Sequence, residues 1–430
     1  MLTIKNWLFL SAEERKSALA RPEQNRAFTS QVSVIINEVK NRGDEALFDF
    51  TREFDGVDLL KLRVSEKEIQ QAEIEPVAMQ SLMTAIRTIT NYHEAARPLN
   101  QRISTSNGVE IERVYKPVSN IGMYVPGGNF TPLVSSLLMQ AIPAKVAGCP
   151  QRIVCTPPDR NGTVNPALLV AARLCGIDTV FKIGGAQAIA AMAYGTESIA
   201  KMDKLFGPGN AFVTEAKTQV AADPAGAAID MPAGPSEVMV IAEDEANPIF
   251  VAADLLAQAE HGKDSQAILL CESSQFAAQV KEAVTAQIKT LSRKMIIQQA
   301  LQHSLILVCP FDEQVRIINT YAPEHLILHR SDASDWIPFI HAAGTIFIGE
   351  WAAETLGDYV TGSNHVLPTN GYARQHGGLS TIDFMKAVSV QSITSEGIRS
   401  IGQAAITLAL MEGLDAHASA VRLRLTSLGA

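Results

Sequence analysis

Gln258 and His261 stand near the end of a helix-like stretch, "LLAQAEHGKDSQ" at residues 255–266. They are three residues apart, so on a helix they lie on one face and can converge on a common point. An amide oxygen and an imidazole placed together suit a metal ion. Glu260 lies on a different side, where it is expected to be solvated or to support the ligands. A helix C-terminus also favours a histidine through its dipole, so these two residues alone leave a structural role equally open.

Glu324 and His325 are adjacent in "YAPEHL", directly after Pro323. The proline favours an extended Ala322, and neighbours in an extended chain point to opposite sides. A tight bend would instead let both side chains reach one site. There a carboxylate could deprotonate water while an imidazole handles a hydroxyl proton. Taken alone, the pair is better explained as an exposed strand-entry loop.

Two later segments hold further candidates. Asp358 and His365 lie in "GDYVTGSNHVLPT", and Glu412 and His417 lie in "MEGLDAHASAV". Polar residues in such loops often serve turns, and a helix-surface histidine needs no function. Two histidines, an aspartate and an amide oxygen would nevertheless form a mixed nitrogen and oxygen set acceptable to Zn²⁺. The residues are spread along the chain, so their spacing does not establish a metal site.

Three glycine-rich turns could bind an anion. They are "YVPGGNF" at 124–130, "KIGGAQAIA" at 182–190 and "FGPGNAFV" at 206–213. Each follows a strand-like run and precedes a helix, where backbone N–H groups can cradle a pyrophosphate. None is a G-x-G-x-x-G fingerprint, and the chain has no G-x-x-x-x-G-K-[ST] motif. A dinucleotide is therefore permitted by these turns but not demonstrated.

Composition excludes several other functions. The 430-residue chain has a formal net charge of -9 and no basic run, which argues against a general nucleic-acid binder. Its five cysteines are dispersed without a C-x-x-C pair, which favours small buried side chains in a reducing compartment. No apolar run is long enough to span a bilayer, and the N-terminus lacks a secretory leader pattern. A cytoplasmic protein without membrane contact is expected.

The elements that must position these residues are predicted from their patterns. The first hundred residues favour helices, with capping boxes at Ser11 and Ser65, and Asn107-Gly108 predicts a hairpin. From Ile121 onward, short apolar runs alternate with helix-length segments, which is typical of parallel sheets. Residues 222–237 are expected to cross between two such units, and the chain after "GGLSTIDFM" is expected to be helical.

The predicted fold class is α/β, with two Rossmann-like parallel-sheet units and small helical N- and C-terminal modules. The expected division is an N-terminal helical segment at 1–25, an α/β domain with the metal and acid/base residues at 26–123 plus 236–378, a second α/β domain at 124–235, and a C-terminal helical module at 379–430.

Eight segments taken together resemble the histidinol dehydrogenase family in order and spacing, from residue 28 to the end of the chain. They are "YVPGG", "IGGAQAIAAMAYGT", "FGPGNAFV", "DMPAGPSEV", "QAEHGKDSQ", "YAPEHL", "GSNHVLPT" and "EGLDAHASAV". The resemblance implies the last step of histidine biosynthesis, in which L-histidinol is oxidised to L-histidine in two NAD-dependent steps through L-histidinaldehyde. It also implies one zinc ion per subunit.

The resemblance carries roles onto individual residues. The zinc ligands fall on Gln258, His261, Asp358 and His417, and the acid/base pair falls on Glu324 and His325. The substrate contacts fall on Ser236, His365 and Glu412, together with His325 and the metal ligands. The NAD contacts fall on Tyr124, Gln187 and Asn210. No departure from the family pattern occurs at these positions.

The resemblance further implies a homodimer with shared active sites, in which the C-terminal segment with Glu412 and His417 completes the neighbouring site. Two alternatives stay open. A paralogous zinc and NAD dehydrogenase could act on another small alcohol, such as a sulfonated diol. A noncatalytic metal- or ligand-binding protein is disfavoured, because both Glu324 and His325 are present.

Overall fold

The computed structural model describes residues 2–22, 28–127, 132–231 and 234–429. The strands are β1 (Thr3–Asn6), β2 (Gln101–Ser106), β3 (Val109–Pro117), β4 (Asn120–Tyr124), β5 (Gln151–Thr156), β6 (Val180–Lys182), β7 (Lys204–Phe206), β8 (Ala228–Ile229), β9 (Glu237–Ala242), β10 (Gln266–Cys271), β11 (Leu305–Val308), β12 (His325–His329), β13 (Thr345–Ile348) and β14 (Met385–Ile393).

The helices are α1 (Ala12–Ala18), α2 (Thr29–Arg42), α3 (Asp44–Phe50), α4 (Glu66–Gln71), α5 (Pro76–Ala95), α6 (Val134–Ala147), α7 (Pro166–Leu174), α8 (Gly185–Tyr194), α9 (Ala211–Ala222), α10 (Pro248–Ala259), α11 (Ser274–Gln287), α12 (Lys294–Ala300), α13 (Phe311–Tyr321), α14 (Ala333–Trp336), α15 (Glu354–Tyr359), α16 (Ser395–Met411) and α17 (Asp415–Ser427). Both predicted capping boxes are present, at Ser11 before α1 and at Ser65 before α4.

The larger sheet has the order β1-β11-β10-β9-β12-β13, and all neighbouring strands in it are parallel. Its central strands β9 and β10 are buried at every position, as continuous apolar runs in a parallel sheet should be. Separate apolar clusters cover its two faces. This unit confirms the predicted α/β class.

The N-terminal segment differs from the helical prediction. Residues 3–6 form strand β1, which pairs in parallel with β11 from Thr3 and Leu305 to Asn6 and Val308. Ile4 packs against the core on one face of the sheet, while Lys5 points away from that core. A four-residue strand shows too little alternation to be recognised, and its pairing partner lies some 300 residues away in sequence.

The second sheet has the order β6-β5-β4-β7-β8 and is also parallel. Helices α2, α3, α8 and α9 contribute to the core on one face, and α5, α6 and α7 contribute to the core on the other. The first helices therefore pack on this unit, which differs from the expected grouping of residues 26–123 with 236–378. Apolar burial explains the difference, since α2 packs on α8 and its Val32, Ile36 and Val39 belong to the same buried core as α8. The crossing from β8 to β9 lies within the predicted 222–237 stretch.

A three-stranded antiparallel sheet, ordered β14-β3-β2, stands apart from the two parallel sheets. The predicted hairpin joins β2 to β3, and Gly108 in its turn has φ of 71°. The prediction that the chain after residue 379 is wholly helical was wrong, because β14 pairs with β3 over nine residues. Strand β14 forms because the free edge of β3 in the hairpin offers unpaired backbone N–H and C=O groups. We call β14, α16 and α17 the C-terminal arm. No described helix in the arm or elsewhere is long and apolar enough to cross a membrane.

His93 of α5 is fully buried beside the later loops that contain Asn364 and Thr381. Its ring nitrogens lie 3.4 Å from Asn364 Nδ2 and 3.4 Å from Thr381 Oγ1. Burial lowers the pKa of His93 from 6.5 to about 4, against a smaller opposing effect of Asp383. In the folded state the imidazole therefore stays neutral at a pH where the unfolded chain would protonate it. This difference stabilises the fold above pH 6.5, and the stabilisation is lost as the pH falls towards 4.

We expect His93→Gln to reduce the acid sensitivity of the fold. Between pH 7.5 and pH 5 the free energy of unfolding should fall by about 2 kcal/mol more in the wild type than in the variant, because only the wild type loses the His93 contribution. Urea unfolding at both pH values measures this difference. The exposed His341 serves for the control His341→Gln, which should behave like the wild type. Equal pH dependence in wild type and His93→Gln would contradict the assignment.

Candidate active site

Several of the predicted acid/base and ligand residues meet at the amino edge of the six-stranded sheet. Strand β9 begins at Glu237 directly after Ser236, and β12 begins at His325 directly after Glu324. Helix α10 runs back along the sheet, so its last turn brings Gln258 to the same edge. Helix α15 does the same for Asp358. Four separate segments thereby converge on one place.

A sharp bend precedes the acid/base pair. Ala322 ends α13 with φ of 55° and ψ of 70°, a left-handed conformation rather than the extended one expected before Pro323. The helix explains the difference, because the Ala322 N–H still donates to Ile318 O at 2.7 Å. The bend turns the chain into β12 and buries both Glu324 and His325. The tight turn considered for this pair is therefore present.

The His325 imidazole is held in a defined orientation. Its Nδ1 lies 3.2 Å from the backbone oxygen of Glu237. A carbonyl only accepts hydrogen bonds, so this contact assigns the proton of the neutral ring to Nδ1. Among the described residues Nε2 has no hydrogen-bond partner, although the atom is buried. The neutral ring therefore presents a basic nitrogen that can take up a proton.

Carboxylates surround this imidazole. Nδ1 lies 3.6 Å from Glu324 and 3.8 Å from Glu354, and Nε2 lies 3.7 Å from Asp358. Burial by itself would lower the pKa of His325, but Glu354, Glu324 and Asp358 together raise it well above 6.5. Glu324 Oε2 also accepts the backbone N–H of Glu237 at 2.8 Å. The N–H and the C=O of one residue, Glu237, thus contact both members of the acid/base pair.

A cluster of possible metal ligands adjoins this pair. Ligand atoms of His261, Glu354 and Asp358 all lie within 4.8 Å of one another. The hydrogen bonds around Gln258 orient its amide so that the nitrogen donates to Glu354 Oε1 at 2.5 Å and the oxygen accepts from Glu237 N at 2.6 Å, sharing that N–H with Glu324. These nitrogen and oxygen donors suit zinc. The structure thus brings three of the four predicted ligands, Gln258, His261 and Asp358, to one cluster.

Glu354 is a site residue that sequence analysis missed. It is buried at the start of α15, and burial raises its pKa to about 8 against the opposing effect of His325. Its Oε2 has no hydrogen-bond partner among the described residues. Glu354 is four residues before Asp358, so the two share a helix face. That spacing in "ETLGDY" was a usable signal.

His365 extends the site on the side of α15. Its Nδ1 lies 2.8 Å from the backbone oxygen of Asp358, which leaves Nε2 for another contact. Burial lowers the pKa of His365 despite the opposing effect of Asp358. The preceding Asn364 donates to Met139 O of α6 at 2.6 Å. This bond ties the loop of His365 to the five-stranded unit.

Glu412 and His417 do not join this cluster in the same chain. Both are exposed in the C-terminal arm. Helices α16 and α17 pack mainly on each other, and α16 also contacts β14 and β2. Apolar side chains on these helices are also exposed, with Leu408 at 59%, Met411 at 78% and Leu423 at 69%. The arm therefore carries uncovered apolar surface together with two predicted site residues.

The predicted NAD contacts lie at the carboxyl edge of the five-stranded sheet. The Tyr124 hydroxyl accepts the Gly185 N–H at 3.1 Å, and burial raises the pKa of Tyr124 to about 12. Gln187 is buried, and its Oε1 has no partner among the described residues. Asn210 caps α9 by accepting from Phe212 N and Val213 N. Residues 128–131, which include part of the first glycine-rich turn, lie outside the described residues.

Comparison with known proteins identifies the family of the chain. A family model described as histidinol dehydrogenase matches residues 19–425. The chain is 59% identical over 430 residues to histidinol dehydrogenase from Legionella pneumophila, with 100% of each chain covered. It is 50% identical over 425 residues to histidinol dehydrogenase from Xanthomonas campestris pv. campestris, with 98% of each covered.

A solved structure gives the same result at the level of the fold. The crystal structure of histidinol dehydrogenase from Elizabethkingia anophelis matches with a TM-score of 0.95 at 44% identity, covering 100% of this chain and 99% of that chain. Family model, full-length relatives and solved structure agree. The chain belongs to the histidinol dehydrogenase family.

Proposed function

We propose that the chain catalyses the zinc- and NAD-dependent four-electron oxidation of L-histidinol to L-histidine through bound L-histidinaldehyde, the last step of histidine biosynthesis. Membership of an oxidoreductase family supports the histidinol reaction. The observation that carries the proposal is the His325 imidazole, whose Nδ1 is held by Glu237 O while Nε2 points at the ligand cluster. This arrangement places a base beside a metal-binding set.

Gln258, His261 and Asp358 would hold the zinc ion, with His417 from a second copy of the chain as the fourth ligand. The mixed donor set fits zinc, and Glu354 supports it by accepting from the Gln258 amide. When bound, zinc fixes the imidazole and amino groups of the substrate and so orients the carbon that reacts. Ser236 and His365 line the proposed substrate site, and Glu412 of the second copy would complete it.

In the first oxidation His325 Nε2 takes the hydroxyl proton while hydride passes to NAD⁺. In the second, Glu324 removes a proton from the water that attacks the held aldehyde, and the resulting hydrate gives hydride to a second NAD⁺. Both side chains are buried, which limits their own contact with bulk water. Holding the aldehyde in the site prevents release of a reactive intermediate.

We assign NAD binding to Tyr124, Gln187 and Asn210. Helix α8 begins at Gly185 without a side-chain cap, which leaves backbone N–H groups for a pyrophosphate. The unpartnered Gln187 oxygen is available for a polar group of the cofactor. Asn210 uses its Oδ1 to cap α9, so only its Nδ2 remains for the cofactor.

We also propose a homodimer in which each C-terminal arm completes the site of the other copy. Apolar side chains of α16 are exposed, and Glu412 and His417 lie exposed and apart from the ligand cluster within one chain. We place the protein in the cytoplasm, since its five cysteines are free and buried.

The stoichiometry of NADH tests the proposed reaction. Zinc-loaded protein with limiting L-histidinol should produce two NADH for each substrate consumed, because both oxidations occur in one site. Absorbance at 340 nm and chromatography of L-histidine measure the two products. A small sulfonated diol without an imidazole is the comparison. Activity on the diol alone would assign the chain to a paralogous dehydrogenase instead.

Glu324→Gln should spare the first oxidation more than the second. The amide keeps the shape of the side chain and can still accept the Glu237 N–H, but it cannot deprotonate water. We expect the rate of aldehyde oxidation to fall by about 10²- to 10⁴-fold, while formation of the first NADH changes far less. Single-turnover NADH formation from histidinol and from histidinaldehyde separates the steps. Glu350→Gln, at an exposed carboxylate, is the control. Equal loss of both steps would refute this division of labour.

Mixing two inactive variants tests the shared site. His261→Ala removes a ligand from the body of the chain, and His417→Ala removes one from the arm. In a mixed dimer one site loses both ligands and the other keeps both. Random exchange of subunits should therefore restore about a quarter of the wild-type activity. If mixing after subunit exchange restores none, the arm does not act across a dimer.

A further inference from the structure

Arg21 joins separate parts of the chain directly beside the acid/base pair. Its guanidinium forms a bidentate pair with Glu237, at 2.5 Å from Nε to Oε1 and 2.8 Å from Nη2 to Oε2. Nη2 also donates to the backbone oxygens of Tyr321 at 2.8 Å and Ala322 at 3.4 Å. The same group lies 3.9 Å above the centre of the Tyr321 ring. One side chain from the N-terminal segment thus contacts both the start of β9 and the end of α13.

Both partners of Arg21, Glu237 and the end of α13, are connected directly to the acid/base pair. The Glu237 backbone N–H donates to Glu324, and its carbonyl holds His325 Nδ1. Ala322 is the left-handed residue from which the chain turns into Pro323 and the acid/base pair. The Glu237 side chain is fixed further by the Asn370 N–H at 2.8 Å. Displacement of Glu237 or of the bend would therefore move Glu324 and His325 relative to each other.

We infer that Arg21 is a positioning residue, which through Glu237 and the bend at Ala322 holds Glu324 and His325 in the geometry that both oxidations require. The inference rests on the proposed function. Arg21 bonds Glu237 and the backbone oxygens of Tyr321 and Ala322 rather than these two side chains, and it acts on them through those partners. A planar guanidinium can bond a carboxylate with two parallel N–H groups and still reach two carbonyls. A lysine ammonium in its place retains the charge but not this geometry.

The test compares Arg21→Lys with Arg330→Lys, because Arg330 is a close structural match outside the site. Arg330 pairs with Asp332 through Nε at 2.7 Å and Nη2 at 3.1 Å, and it lies 4.7 Å above the Trp336 ring. Its side chain is 10% exposed, against 17% for Arg21. Both substitutions remove a bidentate pair over an aromatic ring. Only the first removes it beside the acid/base pair.

For Arg21→Lys we expect kcat with L-histidinol to fall by about 10- to 100-fold, since a displacement of the order of 1 Å is enough for such a loss. The KM values for histidinol and NAD⁺ and the zinc content should stay at wild-type levels, because the ligand-binding groups remain. Amide hydrogen exchange at residues 321–325 and at Glu237 should accelerate. Arg330→Lys should keep wild-type kcat and exchange at these amides. Guanidinium salts should restore part of the kcat of Arg21→Ala.

Equal kcat and equal exchange at residues 321–325 in both lysine variants would overturn the inference while leaving the proposed function intact. Loss of zinc or a raised KM in Arg21→Lys without a change in kcat would overturn it as well. Failure of the wild type to form NADH from histidinol would instead overturn the proposed function. Glu237→Gln weakens the same pair from the other side. It gives the same kcat test if Arg21→Lys does not fold.

Discussion

Burial of charge at the amino edge of the six-stranded sheet is the constraint on which the rest of the structure depends. Glu237, Glu324 and Glu354 are all buried there, next to the partly buried Asp358. An ionised carboxylate in such a place is unfavourable unless it is paired and hydrogen-bonded. The fold meets this requirement with His325, with Arg21 and with backbone N–H groups at the starts of strands. The ion pairs and hydrogen bonds that compensate for the burial of these charges also hold Glu324 and His325 in place for the proposed chemistry.

The two parallel sheets use opposite edges for the proposed chemistry. The acid/base and ligand residues lie at strand beginnings and helix ends of the larger sheet, where helix C-termini bring Gln258 into place. The predicted NAD contacts lie at strand ends of the smaller sheet, where helix N-termini present N–H groups. The edge of the larger sheet therefore contributes side chains with nitrogen and oxygen ligand atoms. The edge of the smaller sheet contributes backbone N–H groups that donate hydrogen bonds.

Local patterns were sufficient for much of this structure. The capping boxes, the hairpin at Asn107-Gly108, the parallel sheets and the crossing before β9 were all predicted from short stretches of sequence. The prediction failed where an element depends on a distant partner. Strands β1 and β14 exist because β11 and β3 offer backbone edges to pair with. The packing of the first helices on the smaller sheet likewise depends on tertiary structure, because these helices could cover an apolar face of either parallel sheet.

The site shows the same limit. Spacing within a helix suggested Gln258 with His261, and it could have suggested Glu354 with Asp358. The adjacent Glu324 and His325 were visible as a pair, but nothing local shows that the backbone N–H and C=O of Glu237 would hold both of them. Arg21 carries no local signal at all, because its partners lie 216 and about 300 residues further along the chain. Such a contact is a property of the folded topology.

The pairing of β1 with β11 also constrains how the chain folds during synthesis. Thr3 leaves the ribosome some 300 residues before its backbone partner Leu305. For that interval the first strand exposes unpaired N–H and C=O groups, which in a long apolar strand would invite association with other nascent chains. Here the strand has only four residues, and Lys5 and Asn6 interrupt its apolar character. Its shortness thus protects the growing polypeptide until the sheet that receives it is complete.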